Sequence, residues 1–297
     1  MALDRRSLLR GLVTAGTAAA SGQAVVSEAA VRVAPAPDTV GMLYDSTLCI
    51  GCKACVEACR EANGLEADTA YFPGELYQAP VALSARAKNV IKLYREGEKT
   101  AFMKAQCMHC VDPACTSACM LGALKKREKG IVSYDASLCI GCRYCQMACP
   151  FGVPTFEWSK AAPKIVKCEL CRHRLVEGRL PACVEVCPRQ AVIYGTRALL
   201  LAEAKRRLAA HPDRYVPKVY GEHDGGGTQV LYLAAVPFEK LGLPELGTEP
   251  VPSTARTVQH GIYKGFVAPV ALYAALGAVL FRNRRRAGPE AEEEEPS

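Results

Sequence analysis

The apolar and polar positions of this 297-residue chain predict short elements separated by irregular stretches. Short runs rich in β-branched, aromatic and other apolar residues predict strands over 89–94, 101–104, 132–134, 191–194 and 229–236. A segment rich in Ala, Leu and charged residues predicts a surface helix over 197–210, with Pro212 just beyond its end. The Pro-rich stretch 237–255 is expected to be an extended strap.

The longest apolar run, 265–281, lies near the C-terminal end and contains 17 uncharged residues. This length is at the lower limit for a helix that crosses a bilayer, and the segment before it can extend the span. We therefore predict a membrane anchor over 259–281; a buried core helix is the alternative. Four arginines follow within five residues, so the charged tail 282–297 is expected in the cytoplasm and the main domain on the periplasmic side.

The N-terminal segment has the features of an export signal. Arg5 and Arg6 precede apolar residues, and a weakly apolar stretch rich in Ala, Gly and Thr follows them. This pattern is typical of a twin-arginine signal, which we place at 1–30 and exclude from the fold. An Ala- and Pro-rich linker is expected over 31–40.

The sixteen cysteines form four quartets, and none is left over. The quartets are Cys49, Cys52, Cys55, Cys59; Cys107, Cys110, Cys115, Cys119; Cys139, Cys142, Cys145, Cys149; and Cys168, Cys171, Cys183, Cys187. The first and third have the C-x2-C-x2-C-x3-C spacing of bacterial ferredoxins, in which the fourth cysteine binds the other cluster of a pair. Gly51 and Gly141 lie where the backbone must approach sulfur most closely.

The surroundings of the first and third quartets repeat with an offset of 90 residues, YDSTLCIGCKACVEAC against YDASLCIGCRYCQMAC. The second and fourth quartets are similar more loosely. An insertion, 61–106, separates the first two quartets. The chain is therefore predicted to be an α+β protein: a duplicated two-[4Fe–4S] ferredoxin-like domain over 41–196 with pseudo-twofold symmetry, then a region of helix, strand and strap over 197–258.

Two other uses of cysteine are considered. Zinc sites with four cysteine ligands take two C-x2-C pairs, which the second and fourth quartets resemble but the first and third do not. Disulfides are common in exported proteins, but three cysteines on one tight loop make poor bridging partners. His109 is expected to pack or hydrogen-bond beside a sulfur, and the single tryptophan, Trp158, is expected in the core.

The charge balance is consistent with buried anionic groups. The chain has 37 Lys and Arg against 30 Asp and Glu, a net charge of +7. Four cubanes with thiolate ligands would bring about −8. The basic residues are not gathered in the stripe expected of a nucleic-acid-binding protein but lie among the cysteines: Lys53, Arg60, Lys104, Lys125, Lys126, Arg127, Arg143, Lys167, Arg172 and Arg174.

The four quartets in this order resemble the four-cluster ferredoxin subunits of membrane-bound respiratory complexes, in particular those of the hydrogenase-2 type. The resemblance is carried by 41–49, 106–115, 141–150, 167–171, 183–188 and 225–231. It implies four [4Fe–4S] clusters and a ligand pairing that spacing alone leaves open. The implied sets are set A (Cys49, Cys52, Cys55, Cys187), set B (Cys59, Cys168, Cys171, Cys183), set C (Cys107, Cys110, Cys115, Cys149) and set D (Cys119, Cys139, Cys142, Cys145).

The resemblance also implies a function and partners. The chain is expected to carry electrons from the subunits of a periplasmic [NiFe] hydrogenase to a quinone-reactive integral membrane subunit. The same role beside a molybdopterin oxidoreductase is one alternative, and a structural zinc-binding module is another. Because the sequence contains no recognisable nucleophile–base pair or phosphate-binding loop, a catalytic role is not expected.

Overall fold

The computed structural model describes residues 34–67, 80–158, 160 and 163–287. Four predicted regions lie wholly or partly outside these residues: the export signal 1–30, the start of the linker, part of the insertion (68–79) and the end of the charged tail. The described residues form a mixture of short helices and short strands, as the α+β prediction expects.

The strands are β1 (Val40–Asp45), β2 (Val90–Glu96), β3 (Lys99–Ala105), β4 (Leu124–Lys126), β5 (Val132–Tyr134), β6 (Thr155–Phe156), β7 (Ile165–Val166), β8 (Val192–Thr196) and β9 (Val230–Leu233). The helices are α1 (Ala54–Ala62), α2 (Ala114–Ser117), α3 (Tyr144–Ala148), α4 (Arg172–Val176), α5 (Ala182–Glu185), α6 (Arg197–Ala210) and α7 (Ser253–Ala287). The predicted helix 197–210 and the predicted strand 132–134 are confirmed with the same bounds. The other predicted strands are confirmed with ends shifted by one to three residues.

A three-stranded sheet in the order β8-β1-β9 forms the centre of the fold. Strand β1 is antiparallel to β8 and parallel to β9, so that Met42 lies opposite both Tyr194 and Val230. All six residues of β1 are buried, which is typical of a strand covered on both faces. The segment 197–258 therefore shares its sheet and core with the predicted cluster domain 41–196.

Helix α6 covers one face of this sheet. Its Leu200 and Ala204 pack against Leu43 of β1 and Leu231 of β9. The Asp45 carboxylate at the end of β1 is fully buried; it accepts hydrogen bonds from Arg207 of α6 at 3.0 Å and from the Tyr215 hydroxyl at 2.9 Å. These bonds connect the helix to the strand that leads into the first cysteine quartet.

The backbone repeats the duplication seen in the sequence. Strand β1 precedes the first quartet and pairs antiparallel with β8, with Tyr44 opposite Val192. Strand β5 precedes the third quartet and pairs antiparallel with β4, with Tyr134 opposite Leu124. In both ferredoxin-like units, the strand that leads into the cysteine loop therefore belongs to an antiparallel strand pair, to which β9 adds a third strand in the first unit.

The prediction of an extended strap over 237–255 is wrong at both ends. The chain turns near its start, where Lys240 donates its backbone N–H to the Pro237 carbonyl at 3.1 Å. Phe238, Leu241 and Leu243 are buried, so apolar burial holds this segment on the protein body. Helix α7 already begins at Ser253.

Helix α7 contains the predicted anchor 259–281 and continues to Ala287. In the part of the chain that the structure describes, none of the helices combines the length and the apolar character that crossing a membrane requires.

Candidate metal centres

All sixteen cysteines belong to the described residues, and none of them forms a disulfide. The structure therefore leaves every predicted ligand available to a metal group. Their positions are best described by the loops that carry them and by the thiols that neighbour each one.

Cys49 and Cys52 of set A lie in the loop between β1 and α1, Cys55 lies in the first turn of α1, and Cys187 follows α5. Gly51 has φ +70° and Lys53 has φ +59°, and this left-handed backbone closes the loop around its sulfurs. The Gly51 N–H donates to Cys49 Sγ at 3.4 Å, the kind of hydrogen bond that stabilises a thiolate ligand. The four thiols of set A line a pocket with about 380 Å³ of space not filled by protein atoms.

Set D repeats this arrangement in the loop before α3. Gly141 has φ +71° and Arg143 has φ +66°, and the Gly141 N–H donates to Cys139 Sγ at 3.4 Å. The four thiols of set D line a second pocket, also with about 380 Å³ of unfilled space and walls made mostly of apolar side chains. The loop geometry of the two outer sets is therefore the same.

Sets B and C lie deeper in the protein. Burial, and next the neighbouring Cys168, raise the pKa of the Cys59 thiol to about 12. Burial, and next Cys107, raise the pKa of the Cys115 thiol to about 12. Without a metal group these thiols hold their protons at neutral pH, so metal binding must displace them.

For Cys49, Cys59, Cys110 and Cys145, the thiols that affect the pKa all belong to the same implied set. Cys187 and Cys52 act on Cys49 in set A, and Cys168 and Cys171 act on Cys59 in set B. Cys107 and Cys149 act on Cys110 in set C, and Cys119, Cys142 and Cys139 act on Cys145 in set D. The ligand assignment itself stays a prediction that these neighbours support.

The spacing of the donors favours a metal cluster over a single ion. A zinc ion needs its four ligands about 2.0–2.3 Å from one point. Within the described ranges, no group of three or more His, Cys, Asp or Glu side chains is placed to hold a single metal ion. In sets A and D the thiols instead surround a pocket. The residues present therefore fit a cluster with thiolate ligands.

Comparison with known proteins agrees with this geometry. Two family models, each described as a 4Fe-4S dicluster domain, match residues 48–123 and 98–197. Together these matches contain all four quartets. The chain belongs to the 4Fe-4S dicluster proteins.

This dicluster protein has relatives over nearly its whole length. It is 40% identical to the hydrogenase-2 operon protein HybA of Escherichia coli O157:H7, over 95% of this chain and 96% of the relative. It is 36% identical to the iron–sulfur subunit of the nitrate-inducible formate dehydrogenase of Escherichia coli K12, over 78% of this chain and 82% of the relative. The formate dehydrogenase-O iron–sulfur subunit of the same strain is 35% identical, over 87% of each chain. The dicluster protein is an electron-transfer subunit that binds four 4Fe-4S clusters.

Two buried lysines lie among the thiols of the dicluster protein. Lys104 is fully buried, and its ammonium donates to Gln106 Oε1 at 2.7 Å. Lys167 is also buried and donates to the carbonyls of Val132 and Cys168. Of the ten basic residues that the sequence places near cysteines, only these two and Arg174 are buried, and Arg174 forms an ion pair with Glu185.

Two tyrosines beside cysteines were missed by the motif analysis. Tyr44 lies beside the Cys49 thiol and donates its hydroxyl to the Phe102 carbonyl at 2.8 Å, and Tyr134 lies beside the Cys139 thiol and accepts the Ile165 N–H at 3.2 Å. Burial is the largest cause of the raised pKa of both phenols, so both remain neutral. The signal that could have found them is the 90-residue repeat, because each tyrosine stands five positions before the first cysteine of its quartet.

The predictions for His109 and Trp158 have different outcomes. His109 is buried, and its Nδ1 accepts the Val132 N–H at 3.1 Å; burial and the nearby Lys167 hold its pKa well below the usual value. It is therefore a neutral packing and hydrogen-bonding residue, as expected. The core prediction for Trp158 is wrong, because the residue is 61% exposed, and the Arg143 guanidinium lies 4.2 Å from the centre of its ring. The Trp158 ring therefore packs against a cation at the surface and is not enclosed in the core.

Proposed function

We propose that this chain carries electrons between a periplasmic [NiFe] hydrogenase and a quinone-reactive integral membrane subunit. The observation that carries the proposal is the four sets of free thiols, in a chain 40% identical over 95% of its length to a hydrogenase-2 operon protein. Sets A to D would each hold one [4Fe–4S] cluster, and such clusters accept and release single electrons.

The thiol neighbours support a linear order of the sets. Cys55 of set A and Cys59 of set B lie on the same helix, α1. Cys168 of set B acts on Cys107 of set C, and Cys145 of set D acts on Cys115 of set C. The sets are therefore arranged in the order A–B–C–D. Because consecutive sets adjoin, electrons can move from one set to the next and need not cross the protein in a single step.

Sets A and D form the two ends of this order, and both reach the surface. Cys52 of set A and Cys142 of set D are exposed, whereas the cysteines of set B are all buried. Large apolar side chains are exposed around set D, among them Met120, Ile140 and Met147. These features suit the two ends to contact with an electron donor and an electron acceptor.

The proposal includes export and attachment to the membrane. The twin-arginine sequence at 1–30 supports export, and the arginines from 282 onward support an orientation with the tail in the cytoplasm. In α7, the apolar side chains of Val270, Leu272, Tyr273, Leu280 and Phe281 are exposed. We propose that this part of α7 lies in the membrane and holds the main domain on the periplasmic side.

A second candidate is the same role beside a molybdopterin oxidoreductase. It is favoured by the 35–36% identity to iron–sulfur subunits of formate dehydrogenases. The two candidates differ in the enzyme that supplies the electrons and agree on the chemistry of this chain.

Elemental analysis of the intact complex separates the candidates. The tagged chain is isolated with its partners from detergent-solubilised membranes, and iron, nickel, molybdenum, tungsten and zinc are measured. Iron with nickel is the expected result. Iron with molybdenum or tungsten would favour the second candidate, a molybdopterin oxidoreductase as the partner. Zinc without iron would overturn the cluster assignment. Recovery of the chain from the soluble fraction alone would overturn the membrane attachment.

A further inference from the structure

Lys104 carries a buried charge that has no carboxylate partner among the described residues. Its side chain is 0% exposed, and the hydrogen bond to Gln106 is with a neutral amide. A buried, unpaired ammonium costs several kcal/mol, so a protein retains one only where an anion compensates it. The neighbours of Lys104 show where that anion must be.

The thiols around Lys104 belong to two different sets. They are, in order of influence, Cys183, Cys55, Cys59 and Cys168. Cys55 belongs to set A, and the other three belong to set B. Lys104 also lines the pocket that the four thiols of set A surround. Lys104 therefore lies beside both sets, where the thiolates of bound clusters would supply the anion that its ammonium needs.

Neighbouring residues fix the position of the Lys104 ammonium. Lys104 lies in β3, and its backbone carbonyl accepts the Tyr232 hydroxyl at 2.7 Å. Gln106 accepts from the ammonium and directs its own amide to Met42 Sδ at 3.5 Å. With both ends of the residue held, the charge keeps one location relative to sets A and B.

We propose that Lys104 is a positioning residue for electron transfer: its fixed positive charge is shared by sets A and B and raises the reduction potential of the metal groups at both. This inference rests on the proposed function. The ammonium stabilises the negative charge that each one-electron reduction adds, and it transfers no proton. A cation shared by two neighbouring sets favours the arrival of an electron at either.

The purely structural alternative is that Lys104 only fills space. Two substitutions separate shape from charge. Lys104→Met keeps nearly the length and volume of the side chain and removes the charge, whereas Lys104→Arg keeps the charge and changes the shape. Lys99→Met, at an exposed position of the same strand, is the matched control.

The experiment is a reductive titration of the full-length chain in its complex, followed by electron paramagnetic resonance with iron content measured in parallel. Lys104→Met is expected to shift two of the four cluster signals to more negative potential, whereas Lys104→Arg and Lys99→Met keep all four. Loss of those two clusters in Lys104→Met, with Lys104→Arg intact, supports the same inference. The inference is wrong if all four cluster signals stay unshifted in Lys104→Met, or if Lys104→Met and Lys104→Arg damage the clusters equally. A wild-type chain without cluster signals would instead overturn the proposed function.

Discussion

Gly41 approaches Gln229 so closely that a Cβ on Gly41 would lie 1.9 Å from the Gln229 carbonyl oxygen. The same carbonyl accepts the Met42 N–H at 3.1 Å, which begins the parallel pairing of β1 with β9. Residues 188 positions apart in the sequence therefore determine how the strand before the first cysteine quartet is held.

Replacing Gly41 with alanine should separate β1 from β9. The added methyl group meets backbone, which cannot rotate away, so we expect a loss of stability of at least about 1–3 kcal/mol. The measurement is the midpoint of denaturant unfolding of the iron-loaded protein. Gly195→Ala is the matched control, because Gly195 pairs with Gly41 across β1 and β8, and a Cβ there meets side-chain atoms only at 3.7 Å. Equal midpoints for the two variants would contradict the steric argument.

The implied pairing makes a specific prediction for Cys59. Although Cys59 belongs to the first quartet in sequence, its thiol neighbours Cys168 and Cys171 belong to the fourth. Cys59→Ser should therefore remove the set B cluster, and about one quarter of the iron, while set A remains.

Electron paramagnetic resonance of three variants checks this prediction. Cys59→Ser and Cys183→Ser should lose the same cluster signal, and Cys49→Ser should lose a different one. The pairing is contradicted when Cys59→Ser and Cys49→Ser lose the same signal.

Lys167 should act on a different pair of sets from Lys104. Burial raises the pKa of Cys107 and Cys115 in set C and of Cys168 in set B, and the nearby Lys167 opposes that rise at all three thiols. Lys167→Met is therefore expected to move the set B and set C signals to more negative potential and to leave set A unchanged, as measured by the same titration. Exposed Lys164 provides the control substitution. A shift confined to set A would contradict this placement.

The ligands and most elements could be predicted because their signals are local. Cysteine spacing marks the loops, and helix 197–210 shows its own composition and ends before Pro212. The parallel pairing of β1 with β9 leaves no such signal, because it depends on the contact of Gly41 with Gln229. Burial of the strap residues Phe238 and Leu241 likewise depends on distant core partners.

The same limit applies to the site. Lys104 and the exposed Lys125 both lie near cysteines in the sequence, and only the folded chain shows that the first is buried between two thiol sets. Charge counting predicts that basic residues compensate the clusters, but not which residues do so. The answer depends on the hairpin of β2 and β3, which carries Lys104 into the core.

Removal of iron should unfold the protein, and Lys104 supplies one reason. At neutral pH the freed thiols of set B take up protons, since burial and their neighbours raise the pKa of Cys59 to about 12. The anion that compensates Lys104 is then lost, and an unpaired buried charge costs about 3–5 kcal/mol. Chelation of iron should therefore abolish the native circular dichroism of the wild-type chain.

The effect of Lys104→Met on stability should therefore have opposite signs in the iron-loaded and the iron-free protein. In the iron-loaded protein it should lower stability, because a favourable charge interaction is removed. In the iron-free protein it should raise stability, because no unpaired cation remains in the core. Urea unfolding measures the difference between the iron-loaded proteins, and the native circular dichroism that remains after chelation measures the difference between the iron-free ones; Lys99→Met should change neither. A Lys104→Met variant that is less stable than wild type with iron, and that keeps no native circular dichroism after chelation, would show that the lysine acts through packing and that its charge is compensated by something other than the clusters.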